Sequence, residues 1–274
     1  MKTAFKILPD STISHSAEVL LEVNWCGVSV LWYTENVKVE GVALYTFNND
    51  ISAEDLVTYL QTVVRETNIN DRTISVFYNF KESILIPGEF FKEETLAAQL
   101  KLLYGFADSI IKHEAVLMPD YIGSKSIFNA YRIPVVVNDF FKSLQLQNAR
   151  HATSCTLVAA LDNTMHCTIF SNTIKVIAYA NGNLLLVQQF QYKTPTDAVY
   201  YLLSICAANG LAVEDVTLFL DGLIEVESNL YEEIYKYFLN INIASPAEDI
   251  TFAEELQTYP PHFFSHLAQL AKCG

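Results

Sequence analysis

Two short stretches carry the side chains best suited to chemistry. In "ALDNTMHCTIF" (Ala160–Phe170) the residues Asp162, Asn163, Thr164 and Met165 separate two apolar runs, which predicts a strand, a tight turn and a second strand. Asp162 could reach a divalent cation or its waters, and Thr164 offers a hydroxyl. Asn163 tolerates the positive φ that lets backbone N–H groups face a ligand. In "VTLFLDG" (Val216–Gly222) an apolar run ends in Asp221 and Gly222, where a bare backbone permits close approach. Asp162 and Asp221 at strand ends also suit a pair of metal ions that would hydrolyse a phosphodiester. A ligand-free account competes with these, because Asp-Asn is a common hairpin turn in its own right.

Other constellations carry less. His262 and His266 are spaced i,i+4 in "PPHFFSHLAQLAKC", with Cys273 nearby. Zinc sites use that spacing, but the glutamate of H-E-x-x-H is missing and there is no second ligand pair, so surface or capping histidines on a terminal helix are expected. His151-Ala-Thr-Ser154 lacks the G-x-S-x-G elbow. Neither G-x-x-x-x-G-K-[ST] nor G-x-G-x-x-G occurs, in keeping with nine glycines in 274 residues.

Composition narrows the class. Apolar residues make up 51% and charged ones 18%, so a large core is expected. No apolar run approaches the ~18–20 residues that cross a bilayer. The N-terminus lacks the apolar stretch of a signal peptide, and five scattered cysteines read as reduced and mostly buried. A cytoplasmic protein is expected. Seventeen basic against 31 acidic residues give a net charge of −14, which disfavours nucleic acid and anionic lipid as partners.

The chain repeats itself after roughly 140 positions. "EVLLEVNWCGVSVLWY", "VKVEGVALYTF", "SAEDLVTYLQTVVRET" and "RTISVFYNF" are matched by "TLVAALDNTMHCTIF", "TIKVIAYANGNLLLVQQFQ", "TPTDAVYYLLSICAAN" and "EDVTLFLDG". Each half reads β-β-β-α-β, with hairpin strands first and a strand reached through a crossover helix last. Asn181-Gly182 marks a hairpin turn. Ser52 caps the first helix, whose apolar positions are Leu56, Tyr59, Leu60, Val63 and Val64. The second starts at Thr194-Pro195 or Thr196 and stops at Asn209-Gly210. "ISVFY" and "VTLFL" suit central parallel strands covered on both faces. The boundary is placed in the polar stretch before Cys155, giving lobes 1–148 and 149–274.

A duplicated unit of this kind resembles the actin-like ATPase fold, two ribonuclease-H-like lobes facing each other across a cleft. The chain is similar to a bacterial family, domain of unknown function 3822, with that fold. "SILIPGEFF" (Ser83–Phe91), "SIFNAYRIP" (Ser126–Pro134) with a helix from about Val135 to Leu146, and "VTLFLDGLIEVESNLYEEIYKYFLNINIASP" (Val216–Pro246) carry the likeness. The last resembles the adenosine-side segment of actin-like proteins. There is a more distant likeness to pilus-assembly and secretion-platform members, several of which act as scaffolds.

The resemblance implies two phosphate turns, each normally an Asp followed by glycines. Asn24-Trp25-Cys26-Gly27 in the first lobe lacks the Asp and carries a bulky Trp. Asp162-Asn163-Thr164-Met165, matched to the second, keeps the Asp without glycine, and the adenosine-side turn Asp221-Gly222-Leu223 keeps one glycine where two are usual. Asp162, Asn163, Thr164, Asp221 and Gly222 are therefore expected as vestigial nucleotide turns, and no cofactor is expected. The implied function is a non-catalytic scaffold, a pseudo-ATPase that holds another protein. One alternative is a nucleotide binder or weak ATPase that uses ATP with Mg in the cleft. A third reading is a metal-dependent ribonuclease-H-like nuclease using Asp162 and Asp221, with Glu22 as the one candidate carboxylate in the first lobe.

Overall fold

The structure is a computed structural model that describes residues 1–9, 16–47, 51–69, 73–116, 126–144, 148–157 and 162–273. Among these, the first lobe opens with β1 (Lys2–Ile7), β2 (Glu18–Asn24), β3 (Gly27–Thr34), β4 (Lys38–Thr46), α1 (Ala53–Thr67) and β5 (Ile74–Tyr78). An inserted unit follows: β6 (Ser83–Pro87), α2 (Leu96–Tyr104), β7 (Ser109–Ala115), β8 (Ile127–Pro134) and α3 (Val135–Ser143). β9 (Asn148–His151) leads to the second lobe, made of β10 (Thr164–Ile169), β11 (Thr173–Ala180), β12 (Asn183–Gln191), α4 (Pro195–Asn209), β13 (Thr217–Gly222), α5 (Asn229–Tyr235) and β14 (Asn240–Ile243). The chain ends with β15 (Thr251–Phe252) and α6 (Ser265–Ala271).

The two main sheets repeat one topology. The first runs β1-β4-β3-β2-β5-β9 and the second β12-β11-β10-β13-β14. β2 pairs antiparallel with β3 and parallel with β5, the strand after the crossover helix, as β10 does with β11 and β13. The crossover helices start alike. Ser52 and Thr194 each accept a hydrogen bond from the backbone N–H three residues on, and Asp55 and Asp197 reach back to the cap. These capping boxes satisfy N–H groups that a helix start leaves unpaired. Asn68 closes α1 at φ 48° and Gly210 closes α4 at φ 66°, both left-handed. Asn181 and Gly182 take φ 49° and 72°, the two positive values a tight β11–β12 hairpin requires.

Burial follows the strand period. Val19, Leu21 and Val23 of β2 pack with Leu56, Leu60 and Val63 of α1. Each such side chain stabilises by roughly 1.5–3 kcal/mol when fully buried. The opposite face of the same sheet, with Leu20, Leu31 and Phe77, meets Leu267, Ala268 and Leu270 of α6. In the second lobe Met165, Cys167 and Ile169 lie with Val199 and Leu202 of α4. β5 is buried throughout, as its continuous apolar run predicts, whereas β13 alternates.

The frame of the strand near Asp162 needs correction. The strand expected before Asp162 falls on residues of which 158–161 lie outside the described set. Among the described residues the first strand of the second lobe is β10, and Asp162 and Asn163 precede it instead of following it. Its alternation of Met165, Cys167 and Ile169 with His166 and Thr168 is what seats one face under α4. The boundary drawn between 148 and 149 falls inside β9, an edge strand of the first sheet. From β15 onward the chain also returns to that sheet: β15 pairs with β4 and α6 packs beneath β2 and β3.

Candidate functional site

The two lobes meet where β2 turns into β3 and β10 turns into β11. The first turn is Asn24 to Gly27. Asn24 Oδ1 accepts from Cys26 N at 2.7 Å and folds the loop on itself. Gly27 is required by packing, since a Cβ there would lie 2.3 Å from the Tyr45 carbonyl oxygen. Trp25 packs against the first-lobe core, donates Nε1–H to Glu82 Oε2 at 3.0 Å, and sets its ring 5.0 Å from Phe80.

The second turn is Phe170 to Asn172, closed by Phe170 N donating to Thr173 O at 2.8 Å. It has neither an Asp nor a glycine. The two turns touch: Cys26 Sγ and Thr173 Oγ1 are 3.0 Å apart. Phe170 fills the adjoining space, its ring 5.3 Å from that of His266. A cavity of about 230 Å³ remains beside Trp25, Cys26, Phe170 and Gln189.

Behind the turns lies a buried ionic cluster to which the two singled-out stretches contribute only Asp221. Glu22, from the middle of β2, is 1% exposed. Its Oε1 accepts from Asn79 Nδ2 at 2.8 Å, and its Oε2 meets His266 Nε2 of α6 at 3.2 Å. Gln189 of β12 donates to both the backbone oxygen and Oδ1 of Asn79, at 3.1 and 2.5 Å, and so carries the network across the lobes. Lys175 of β11, also buried, donates to Thr156 Oγ1 at 3.0 Å. Asp221 joins from β13. A cavity of about 130 Å³ is lined by Glu22, Lys175, Asp221 and His266 among others.

The electrostatics follow from burial and pairing. Burial alone would raise the Glu22 carboxyl, but the His266 charge and hydrogen bond, with Lys175 and Asn79, hold it below its usual value. Burial would lower His266, and the carboxylates of Glu22 and Asp221 reverse that and raise it. Burial pushes Lys175 down to about 8 against the pull of the same two carboxylates. Asp221 is raised, because burial outweighs His266, Thr168 and Lys175.

The residues singled out from sequence divide into two groups. Asp162 is exposed, and Asn163 and Thr164 sit beside it at the start of β10. Asn163 O accepts from Thr217 N at 3.0 Å, and its Oδ1 accepts from Asn181 N at 3.4 Å, which ties the β11–β12 hairpin to β10. Asp221 and Gly222 lie at the far end, opposite Thr168 and Ile169. Five residues, four of them in β10, separate Asp162 from Thr168, which puts them roughly 15–20 Å apart. The structure therefore does not bring Asp162 and Asp221 together. Gly222 takes φ 80°, and a Cβ on it would lie 2.3 Å from the Ile169 carbonyl oxygen, so this glycine serves the approach of two protein backbones.

The histidines are a further correction. His262 is buried and its Nε2 meets the Ile224 carbonyl oxygen at 2.7 Å, while His266 faces Glu22. They are neither surface nor capping residues, because the terminal segment folds under the first sheet. Among the described residues, no group of three or more His, Cys, Asp or Glu could hold a metal ion. Nor is any described helix long and apolar enough to cross a membrane.

Comparison with known proteins agrees with this architecture. The family model described as "Protein of unknown function (DUF3822)" matches residues 10–241. A Bacteroides thetaiotaomicron protein with an actin-like ATPase fold and unknown function is similar at 17% identity and a TM-score of 0.71, covering 97% of this chain and 99% of that one. A chain of the PilM-PilN type IV pilus biogenesis complex is similar at 12% identity and a TM-score of 0.55, covering 93% and 98%. The ethanolamine utilization protein EutJ from Carboxydothermus hydrogenoformans follows at 8% identity and 0.50, covering 94% and 90%. None of the curated proteins matches. The fold is the actin-like ATPase fold.

Proposed function

Since the chain belongs to this family of proteins of unknown function, we propose that it is a non-catalytic scaffold or assembly protein, an actin-like fold that binds another protein instead of a nucleotide. The observation that carries this reading is the contact of Cys26 with Thr173 at 3.0 Å, which brings together the two turns between which phosphates would lie. Phosphate binding needs bare backbone N–H groups and a carboxylate for the cation. Here Trp25 and Phe170 stand in the turns, and Gly222 is committed to the close approach of Ile169.

The nucleotide-binding alternative needs Asp162 and Thr164 to face Asp221 and Gly222, whereas they occupy opposite ends of one strand pair. The same separation weighs against the nuclease. The pilus relative of this fold is named in a complex with PilN, which fits a protein partner for this chain as well. A net charge of −14 disfavours nucleic acid. Five free cysteines suit a reducing, cytoplasmic compartment.

Thermal unfolding with and without millimolar Mg·ATP tests the proposal. The expected result is an unchanged melting temperature. A ligand at a hundred times its Kd adds about 2.7 kcal/mol, so a rise of roughly 2–4 °C or more overturns it.

A further inference from the structure

A cavity of about 440 Å³ lies between the inserted unit and the second lobe, away from the ionic cluster. Two sheet edges line it. Among the described residues, β6 pairs only with β8 and β12 pairs only with β11. On an antiparallel edge, alternate residues turn their N–H and C=O away from the paired strand. Tyr192 N donates to Asn172 O, and the register sets Ile177 opposite Val187 and Lys175 opposite Gln189. Val187 and Gln189 are therefore residues lining the cavity whose backbone groups point outward from β12. On β6, Arg132 N donates to Glu82 O and Gly88 N to Ser126 O, which leaves Leu85 pointing outward.

The side chains add two properties. β12 carries four consecutive apolar residues, Leu184 to Val187, with no charge or proline to blunt its edge. Natural edges of that kind are covered, because an unpaired apolar strand templates association. Leu103, at 61% exposed, and Leu185, at 36%, stand at the rim. The lining contains no carboxylate, in a chain with 31 acidic residues, and its one charged member among the described residues is Lys81. The groove thus matches a strand that is apolar on alternate positions and carries a negative charge opposite Lys81.

We propose that this groove holds an extended segment of another protein, which adds as a strand to the β12 edge at Val187 and Gln189, seats apolar side chains between β6 and β12, and meets Lys81 with a carboxylate. Main-chain hydrogen bonds supply affinity in such an arrangement and side-chain pockets supply selectivity. The proposal rests on the protein-binding reading above and gives it a location and a partner chemistry.

The test is selection of displayed random linear peptides on the full chain, followed by measurement of the enriched peptides on variants. Peptides that alternate apolar residues and carry Asp or Glu are expected, together with slowed hydrogen exchange at the Val187 and Gln189 amides. Val187→Pro removes one outward N–H and leaves the ladder to β11 intact, so binding weakens by about tenfold or more. Leu103→Asp, at an exposed position that spares the fold, has the same effect. Peptides that bind both variants as tightly as the native chain overturn the groove and leave the protein-binding reading in place. A selection that enriches nothing also overturns the groove. Stabilisation by Mg·ATP with peptides still seated at Val187 sinks the non-catalytic reading alone.

Discussion

Glu22 Oε2 and His266 Nε2 lie 3.2 Å apart although 244 positions separate them in the chain. The contact joins the central strand of the first sheet to the terminal helix, inside the interlobe cluster that also holds Lys175 and Asp221. An ion pair in that position locks the helix under the sheet and gives the cleft a charged floor.

Removing one partner of a buried pair leaves the other charge uncompensated, which costs roughly 3–5 kcal/mol. Glu22→Ala is therefore expected to lower unfolding stability by that order in urea at pH 7. His266 is raised above its usual 6.5, so its share of stability is complete below 6.5 and is lost as pH rises through the folded value. The deficit of Glu22→Ala consequently shrinks at alkaline pH. A deficit below about 1 kcal/mol at pH 7 contradicts the pairing.

His151 contributes on the acid side. Its Nε2–H donates to Phe80 O at 3.0 Å, and its Nδ1 accepts from Thr153 N at 3.2 Å, so the neutral ring fits both contacts. Burial lowers it from 6.5 to about 3, against the Phe80 hydrogen bond and with help from Lys175. The unfolded chain takes up that proton first, so stability falls with acidification from 6.5 toward 3, by about 1.4 kcal/mol per pH unit. Stability curves of His151→Gln are expected to be flatter over this range; an identical slope refutes the assignment.

Much of the architecture was legible in local patterns. Ser52 and Thr194-Pro195 or Thr196 announced the starts of the crossover helices, and Asn181-Gly182 announced the hairpin, because caps and turns are encoded within a few residues. The frame of β10 was misread, since Asp-Asn is a turn signal strong enough to mask the alternation of Met165, Cys167 and Ile169 just after it. The cluster of Glu22, Lys175, Asp221 and His266 was not legible. Four elements supply its members, and only the return of α6 beneath β2 brings them together. Glu22 did stand out in the sequence as a charge inside an apolar strand, a signal that a buried partner would have to exist.

Gly222→Ala tests whether that glycine serves packing. Its φ of 80° and the Ile169 oxygen 2.3 Å from any added Cβ predict a loss on the order of 2–4 kcal/mol in chemical denaturation. Gly105, at φ 72° with nothing within 4 Å, is the control, expected to lose only about 1 kcal/mol.

The two aspartates should part company. Asp162 is exposed and Asp162→Ala should change stability by no more than about 0.5 kcal/mol. Burial raises Asp221, so its ionisation weakens the fold as pH rises above 3.8, and Asp221→Asn should raise the melting temperature at pH 7. A destabilised Asp162→Ala together with an unchanged Asp221→Asn would contradict both placements.

The central claim, that Cys26 and Thr173 hold the two turns together, is tested most directly by a cross-link. Thr173→Cys sets a second sulfur where Oγ1 now lies 3.0 Å from Cys26 Sγ, a separation that small side-chain shifts convert into a disulfide. The measurement is the rate and yield of that bond under mild oxidation, with and without millimolar Mg·ATP, read by mass spectrometry. The account predicts near-complete cross-linking at a rate nucleotide does not alter. A rate that Mg·ATP suppresses would mean that the turns part to admit phosphates and would contradict it.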